Sequence, residues 1–554
     1  PPTETPTPTE APVVLTPVSP EGGVLQFREG VIGQVQRINP VFADLNPVDR
    51  DISALIFEGL TRINAYGEPE AALAREWVIS SDGLEYTVTL RDDVLWQDGV
   101  PFSGADVTYT MSLLRAPDFP GDPQLGAFWR TVETEQLSDY IIRFRLTQPL
   151  GSFLDKLAIG ILPVHALLGT EAKDLIHHPF NLSPIGTGPY QLEALRTSDN
   201  AQIDIVDLRV APVYRLRPEG QDGFAIDRFS FHLFDDFASV RAAIAAGTID
   251  GFAEGNRQNR MELLNLATMH QFEAHTTLSP TLGILIFNWQ NEDTRYFREQ
   301  RVRLALETGL DRGSAIERWL FNTAVKTDSP ILPGSWAYDS SLQLPNFDPA
   351  QAQSLLETAN LRRGQDSEET TEGESTEGED VPQVPESSHL LRFEILTPND
   401  AALVNVAGEI AAQWSQLNLD VSVQPTDAES YQARLESGDF DVALVELSMN
   451  TSADPDVYAF WHEGQYPDGA NYGGVDDRRI SEILERARRD PSGLNRKIHY
   501  EVFQDIFIDR AIALPLYVPL FTYVTAAHVD GVQMGFIGAP QHRFQTLRDW
   551  TLNH

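Results

Sequence analysis

"LLRFEIL" at 390–396, "AALVNVAGEIAAQWSQL" at 401–417, "LDVSVQP" at 419–425, "ESYQARLESG" at 429–438 and "FDVALVEL" at 440–447 follow one another almost without a break. The first and third segments alternate as half-buried strands. The second and fourth place apolar residues at helical spacing, and the fifth is a short continuous apolar run of the kind a buried strand makes. Strand, helix, strand, helix, strand predicts a parallel sheet with crossover helices. Directly after the last strand comes "SMNTSADPDVYAFW", residues 448–461, polar first and then aromatic. Open α/β sheets bind ligands at the carboxyl ends of their inner strands. Asn450, Thr451 and Asp454 are therefore candidate polar contacts, and Tyr458 and Trp461 candidate stacking surfaces.

Outward from this region, "FDPAQAQSLLETA" places Asp348 as a helix N-cap, Pro349 at the first helical position and Gln351 at the capping-box position. "DRRISEILERARR" puts Ile480, Ile483, Leu484 and Ala487 on one helix face, the pattern of ordinary core packing. The first 200 residues differ. "EYTVTLRDDVLW" and "DYIIRFRLTQP" alternate with period two between turn signals such as "SDG" and "QDG", which predicts an antiparallel, β-rich region. Two stretches lack the apolar residues a core needs. Residues 1–22, rich in Pro, Thr and Glu, are expected to form an extended tether. Residues 363–388 contain "TEGE" twice, and the acids within them lack the fixed ligand spacing of a calcium loop. This stretch is expected to be a disordered surface insertion.

Composition narrows the functional classes. With 554 residues, several domains are expected. A formal charge of −40 opposes nucleic acid and anionic lipid as partners. The chain contains no cysteine, which excludes disulfides, thiolate metal sites and cysteine nucleophiles. No apolar run is long enough to span a membrane. The start without methionine is read as a mature or trimmed end. No nucleophile elbow, phosphate loop or H-E-x-x-H motif occurs. "GTGPY" at 186–190 reads as a tight turn. The adjacent His177 and His178 would point apart in a helix or strand. The pairs Asp92–Asp93, Asp235–Asp236 and Asp476–Asp477 do not flank a cleft as hydrolytic carboxylates must. No catalytic residue, metal site or cofactor is expected.

Residues 38–111 carry "EGL" at 58, Trp77, "SDGLEYT" at 81, "WQDG" at 96 and "ADV" at 105, in that order. "PIGTGPYQL" at 184, "AAGTID" at 245, "LIFN" at 285, "RVRLALETGLDR" at 301, "SPILPGSWAY" at 329, "GDFDVAL" at 438 and "IALPLYV" at 512 continue the series. Over residues 24 to about 550 the chain resembles the extracellular solute-binding proteins, family 5, the dipeptide, oligopeptide and nickel receptors of ABC importers. The resemblance implies a type II periplasmic-binding-protein-like α/β fold, with two lobes closing on a ligand and an extra β-rich domain on the first lobe. It divides the chain into a first-lobe core (24–55, 186–280 and 525–554), the β-rich domain (56–185) and a second lobe (281–524). It implies a small solute of the peptide or oligosaccharide class and ABC permease and ATPase subunits as partners. It implies an extracytoplasmic, monomeric protein joined to the membrane only through a lipid anchor on a cysteine outside this chain. A glycan- or peptide-acting hydrolase is the alternative of a different class. Asn39, Trp289 and Trp336 lie near expected lobe crossings and join the candidate contacts.

In dipeptide-type members, the segment matching 448–461 carries an acid three positions before its Asp-Pro pair, where it meets the peptide ammonium. Here Asp-Pro is Asp454–Pro455, and that position is Thr451, which cannot form an ion pair. A neutral or carboxylate-bearing solute is favoured over a standard peptide terminus. Deletion of Asp366 to Glu386 is expected to leave solute affinity unchanged and to lower the melting temperature by less than about 5 °C. Thermal unfolding of the deletion variant checks this, and a larger fall would show that the segment packs.

Overall fold

The computed structural model describes residues 24–197, 202–217, 223–359, 390–449 and 453–553. The expected tether and acidic insertion, and candidates Asn450 and Thr451, lie outside the described residues.

One long strand, Leu514–Ala526, organises the molecule. Its first half pairs with Thr281–Phe287 on one side and Ala324–Lys326 on the other. Its second half pairs with Gly251–Glu254 and Phe272–Leu278. From the first half the second lobe's sheet extends through Thr281–Phe287, Val442–Ser448, Arg392–Pro398 and Asp420–Thr426. From the second half the first lobe's sheet extends through Gly251–Glu254, Gln26–Ile32, Arg228–Phe234, Ile203–Val210 and Tyr190–Thr197. The expected parallel unit is present: Arg392–Pro398 runs parallel to both Asp420–Thr426 and Val442–Ser448. The fold class is thus two α/β lobes, and helix caps follow the expected residues. Asp348 accepts from Gln351 N at 2.9 Å, with Pro349 opening the helix.

Two segments cross between the lobes, and prolines mark both. Ser279 and Pro280 join Phe272–Leu278 to Thr281–Phe287, while Pro519 sits where the long strand changes partners. Ser279 N donates to Pro519 O at 2.8 Å, so the crossings are bonded to each other. A proline cannot donate to a ladder, so it suits the place where a ladder breaks. This moves the lobe boundary from the expected residue 525 to Pro519–Leu520. The run "LPLYVPLFTYVTA" is buried almost throughout, and Pro519 is the residue in it that coincides with the change.

The β-rich region is a four-stranded antiparallel sheet in the order Ala74–Ile79, Glu85–Leu90, Ile141–Leu146, Val132–Ser138. Its two central strands alternate between half-buried and buried residues, with Tyr86 opposite Phe144 and Val88 opposite Ile142. It has no separate core. Trp129, Phe144 and Phe153 belong to the same apolar cluster as Phe27, Phe229 and Trp550 of the first lobe. The second lobe has its own cluster, around Phe287, Phe393, Trp414 and Phe507. "GTGPY" is a close-approach turn: a Cβ at Gly186 would lie 1.8 Å from Ile56 O, and Gly188 N donates to that same carbonyl at 2.8 Å. The adjacent acids serve local roles, with Asp236 and Asp477 capping helices and Asp93 paired with Arg91.

Within the second lobe, Glu307 is buried and neither carboxyl oxygen has a partner. Its neighbour Arg312 is held by Thr327 O, Pro515 O and Asp328 instead. Burial pushes Glu307 up to about 8 from 4.5, with Arg312 opposing and Asp328 reinforcing the shift. An acid with a raised folded pKa binds more protons folded than unfolded. Its contribution to stability is complete below the unfolded value and is lost as pH rises through 8. Glu307→Gln is expected to flatten this part of the profile and to gain about 1–3 kcal/mol over wild type near pH 9. Denaturant unfolding at several pH values checks it; a variant with the wild-type slope would place the titration elsewhere.

Candidate ligand-binding site

A cavity of about 380 Å³ opens on the first lobe beside the hinge. Its walls are the carboxyl end of the first strand (Gly30–Ile32), the first turn of helix Pro47–Ile56, the segment Phe252–Gly255, the crossing Ser279–Thr281, and Pro540 and Arg543 near the C-terminus. The volume suits a small polar molecule. This is also where strand ends and a helix start leave backbone groups for a ligand.

A buried charge network forms the first-lobe wall. The Arg543 guanidinium is fully buried and donates to Glu29 Oε1 at 2.9 Å and to Asp51 Oδ2 at 2.7 Å. Tyr523 OH donates to Glu29 Oε2 at 2.8 Å. Burial raises Glu29 to about 7, while Arg543 and Tyr523 pull it down. Glu254 is also pushed up by burial, opposed by Asn256 N at 2.6 Å and Asn259 Nδ2 at 2.9 Å. His542 is driven down to about 4 by burial and then by the Arg50 charge, so it stays neutral at physiological pH. Several buried polar atoms here have no protein partner: Arg50 Nε, Asp51 Oδ1 and Ser53 Oγ on the helix, and Gln541 Oε1 near the C-terminus. Orphaned donors and acceptors are costly unless something meets them.

Two sets of contacts bridge the lobes away from the crossings. Helix Arg257–Met269 of the first lobe reaches the second through Arg257 to Glu446 and Gln258 Nε2 to Asp400 at 2.8 Å. Tyr517 OH also donates to Glu446, at 3.0 Å. On the side of the β-rich domain, Gly151 N donates to Arg488 O at 2.6 Å. A Cβ at Gly151 would lie 2.5 Å from Arg496 Nε, so only glycine fits this contact. Asp155 follows in the same loop; burial and then the nearby Asp454 carboxylate push it well up.

The sequence candidates are dispersed. Asn39 is fully buried, accepting from Val41 N and donating to Asn181 Oδ1 at 2.9 Å, so its amide is used inside the first lobe. Trp461 packs edge-on against Phe507, and Trp289 lies under the Arg303 guanidinium at 4.0 Å; both belong to the second-lobe core. These three are interior residues and present no face to a cleft. Asp454 is held by Arg496 through two 2.6 Å bonds and does not reach the cavity as a free carboxylate. Trp336 packs edge-on against Tyr500, and Tyr458 is sandwiched by His462 and Arg488 at 4.1 Å each. One described flank of 450–452 reaches a cavity-wall residue. Met449 N donates to Pro280 O at 2.8 Å, and Ala453 lies against Gly538. Arg50, Asp51, Glu254 and Arg543 were not among the candidates. For Arg50 and Asp51 the one signal is "NPVDRDISALIF", where charges interrupt the apolar face of a short helix; Glu254 and Arg543 carry none.

A family model, the bacterial extracellular solute-binding proteins, family 5 Middle, matches residues 68–468. The chain belongs to that family. It is therefore a substrate-binding protein of an ABC transporter, a non-catalytic class that works outside the cytoplasm with a small solute and a permease as partners. The oligopeptide-binding protein AppA of Bacillus subtilis is 22% identical over 532 residues, covering 94% of this chain and 91% of that one. The nickel-binding periplasmic protein of Escherichia coli is 26% identical over 508 residues, covering 87% and 86%. The structure of NikZ from Campylobacter jejuni in complex with Ni(L-His) superposes with a TM-score of 0.67 at 25% identity, covering 95% of this chain and 99% of that one. Among the described residues, no group of three or more His, Asp or Glu side chains is placed to hold a metal ion.

Glu446→Gln removes the charge that holds Arg257 and leaves a half-buried cation facing the other lobe. A family 5 receptor so altered is expected to lose about 1–3 kcal/mol of cohesion between its lobes. Small-angle scattering of the ligand-free protein should then give a larger radius of gyration than wild type; an unchanged radius would show that this pair does not hold the lobes.

Proposed function

We propose that this chain is the receptor of an importer for a small peptide-like solute, which it encloses at the hinge-end cavity and delivers to the permease and its ATPases. One observation carries the reading: a cavity with unpartnered donors and acceptors in its wall lies beside the hinge of two lobes that, among the described residues, are joined by two crossing segments. Such a joint lets the lobes swing while the cavity floor stays fixed. Relatives described as oligopeptide-, dipeptide- and glutathione-binding support the peptide-like class. We further infer a monomeric receptor held by a lipid anchor on the external face of the cytoplasmic membrane.

The test combines binding with shape. Calorimetry against a pool of short peptides and against a pool of oligosaccharides should give heat with the peptides. The peptide that binds should reduce the radius of gyration, because a ligand that bridges two lobes favours the closed state. Binding confined to oligosaccharides would replace the solute class while keeping the receptor. Binding of a peptide without contraction would remove the closing cleft.

A further inference from the structure

We infer that Arg50 is the residue that recognises the solute, and that the group it recognises is a carboxylate. The inference deepens the cleft reading above. Arg50 stands in the first turn of helix Pro47–Ile56, on the cavity wall, with its side chain largely buried. Among the described residues no hydrogen bond reaches its guanidinium, and its buried Nε has no partner. The nearest acid does not need it. Asp51 Oδ1 lies 3.8 Å from Arg50 Nε, beyond hydrogen-bond reach, while Asp51 Oδ2 already accepts from Arg543. The other acids near this wall are also provided for: Glu29 by Arg543 and Tyr523, and Glu254 by Asn256 and Asn259.

The groups around Arg50 are therefore a half-satisfied Asp51, a neutral His542, and an Arg543 locked into two ion pairs. A guanidinium offers a planar fork of donors that matches a carboxylate edge. With its Nε buried in the cavity wall and the rest of the fork open to the cavity, it is matched by an incoming anion better than by any fixed residue here. The unpartnered Asp51 Oδ1 beside it suits a donor on the same solute, such as an ammonium or amide. The class that fits both is an amino-acid or peptide head group bearing a free carboxylate.

Selective ¹⁵N labelling of arginine makes the test independent of the native solute. The Arg50 Nε–H resonance is assigned by its loss in Arg50→Gln, or in Arg50→Lys if the glutamine variant does not fold. Acetate is titrated in, with acetamide and chloride as controls. The expected result is a saturable shift of the Arg50 signal with acetate alone, and acetate affinity lower by about tenfold or more in the variant. No response to acetate, or the same response to chloride, would overturn the proposal. A shift with acetate in a protein that binds no peptide would keep carboxylate recognition and discard the peptide reading.

Discussion

A single strand that belongs to two sheets sets the terms for the rest of this molecule. Leu514–Ala526 is hydrogen-bonded to the second lobe along its first half and to the first lobe along its second. Neither lobe can turn without bending at Pro519–Leu520 and at the Ser279–Pro280 crossing bonded to it. The axis of any lobe motion is thereby confined to these few residues. Points near a hinge axis travel least, so in the proposed closing motion the hinge-end cavity would keep its shape while remote contacts such as Gly151 to Arg488 would move. The chemistry that selects a solute and the contacts that sense closure are thus separated by distance from one joint.

The fixed wall of that cavity is built from charges at some energetic expense. Burying carboxylates and a guanidinium is costly unless each finds partners. Arg543 meets this by bridging Glu29 on the first strand and Asp51 on the first helix, with Tyr523 on the long strand completing Glu29. Three elements remote in sequence are cross-linked on one side of the cleft, which makes that wall stiff. Glu307, in the other lobe, shows what happens without such a partner: its carboxyl is driven toward the neutral form. Partners limit this shift without abolishing it, since Glu29, held by Arg543 and Tyr523, is still raised by burial to about 7.

The fold was legible because periodicity reports burial. The segments at 390–447 became the parallel unit, and the alternating "EYTVTL" and "IIRFRL" became paired central strands. The strand shared by both lobes was not read, since a change of partner within a ladder leaves the apolar pattern intact. The candidate site was read less well. Large aromatics at strand ends suggested stacking, yet Trp289 and Trp461 had core volume to fill. Asp454 suggested a ligand contact, yet Arg496, more than forty residues later, holds it. Arg50 and Asp51 were not among the sequence candidates. Only the return of the C-terminal segment, bringing Arg543 and His542 against that helix, makes them interior.

The acidity of the chain bears on what such a cavity can accept. At −40, the protein's far field repels anions, although salt screens it beyond about a Debye length. A solute with net negative charge would approach against that field. A dipolar head group, neutral overall, would feel little of it, yet could still present a carboxylate to Arg50 once inside, where the local dielectric is lower and the pairing stronger. The adjacent unpartnered oxygen of Asp51 gives the same wall a place for the opposite end. On the proposed reading, long-range charge and local geometry favour the same solute, one whose charges cancel at a distance and separate at the wall.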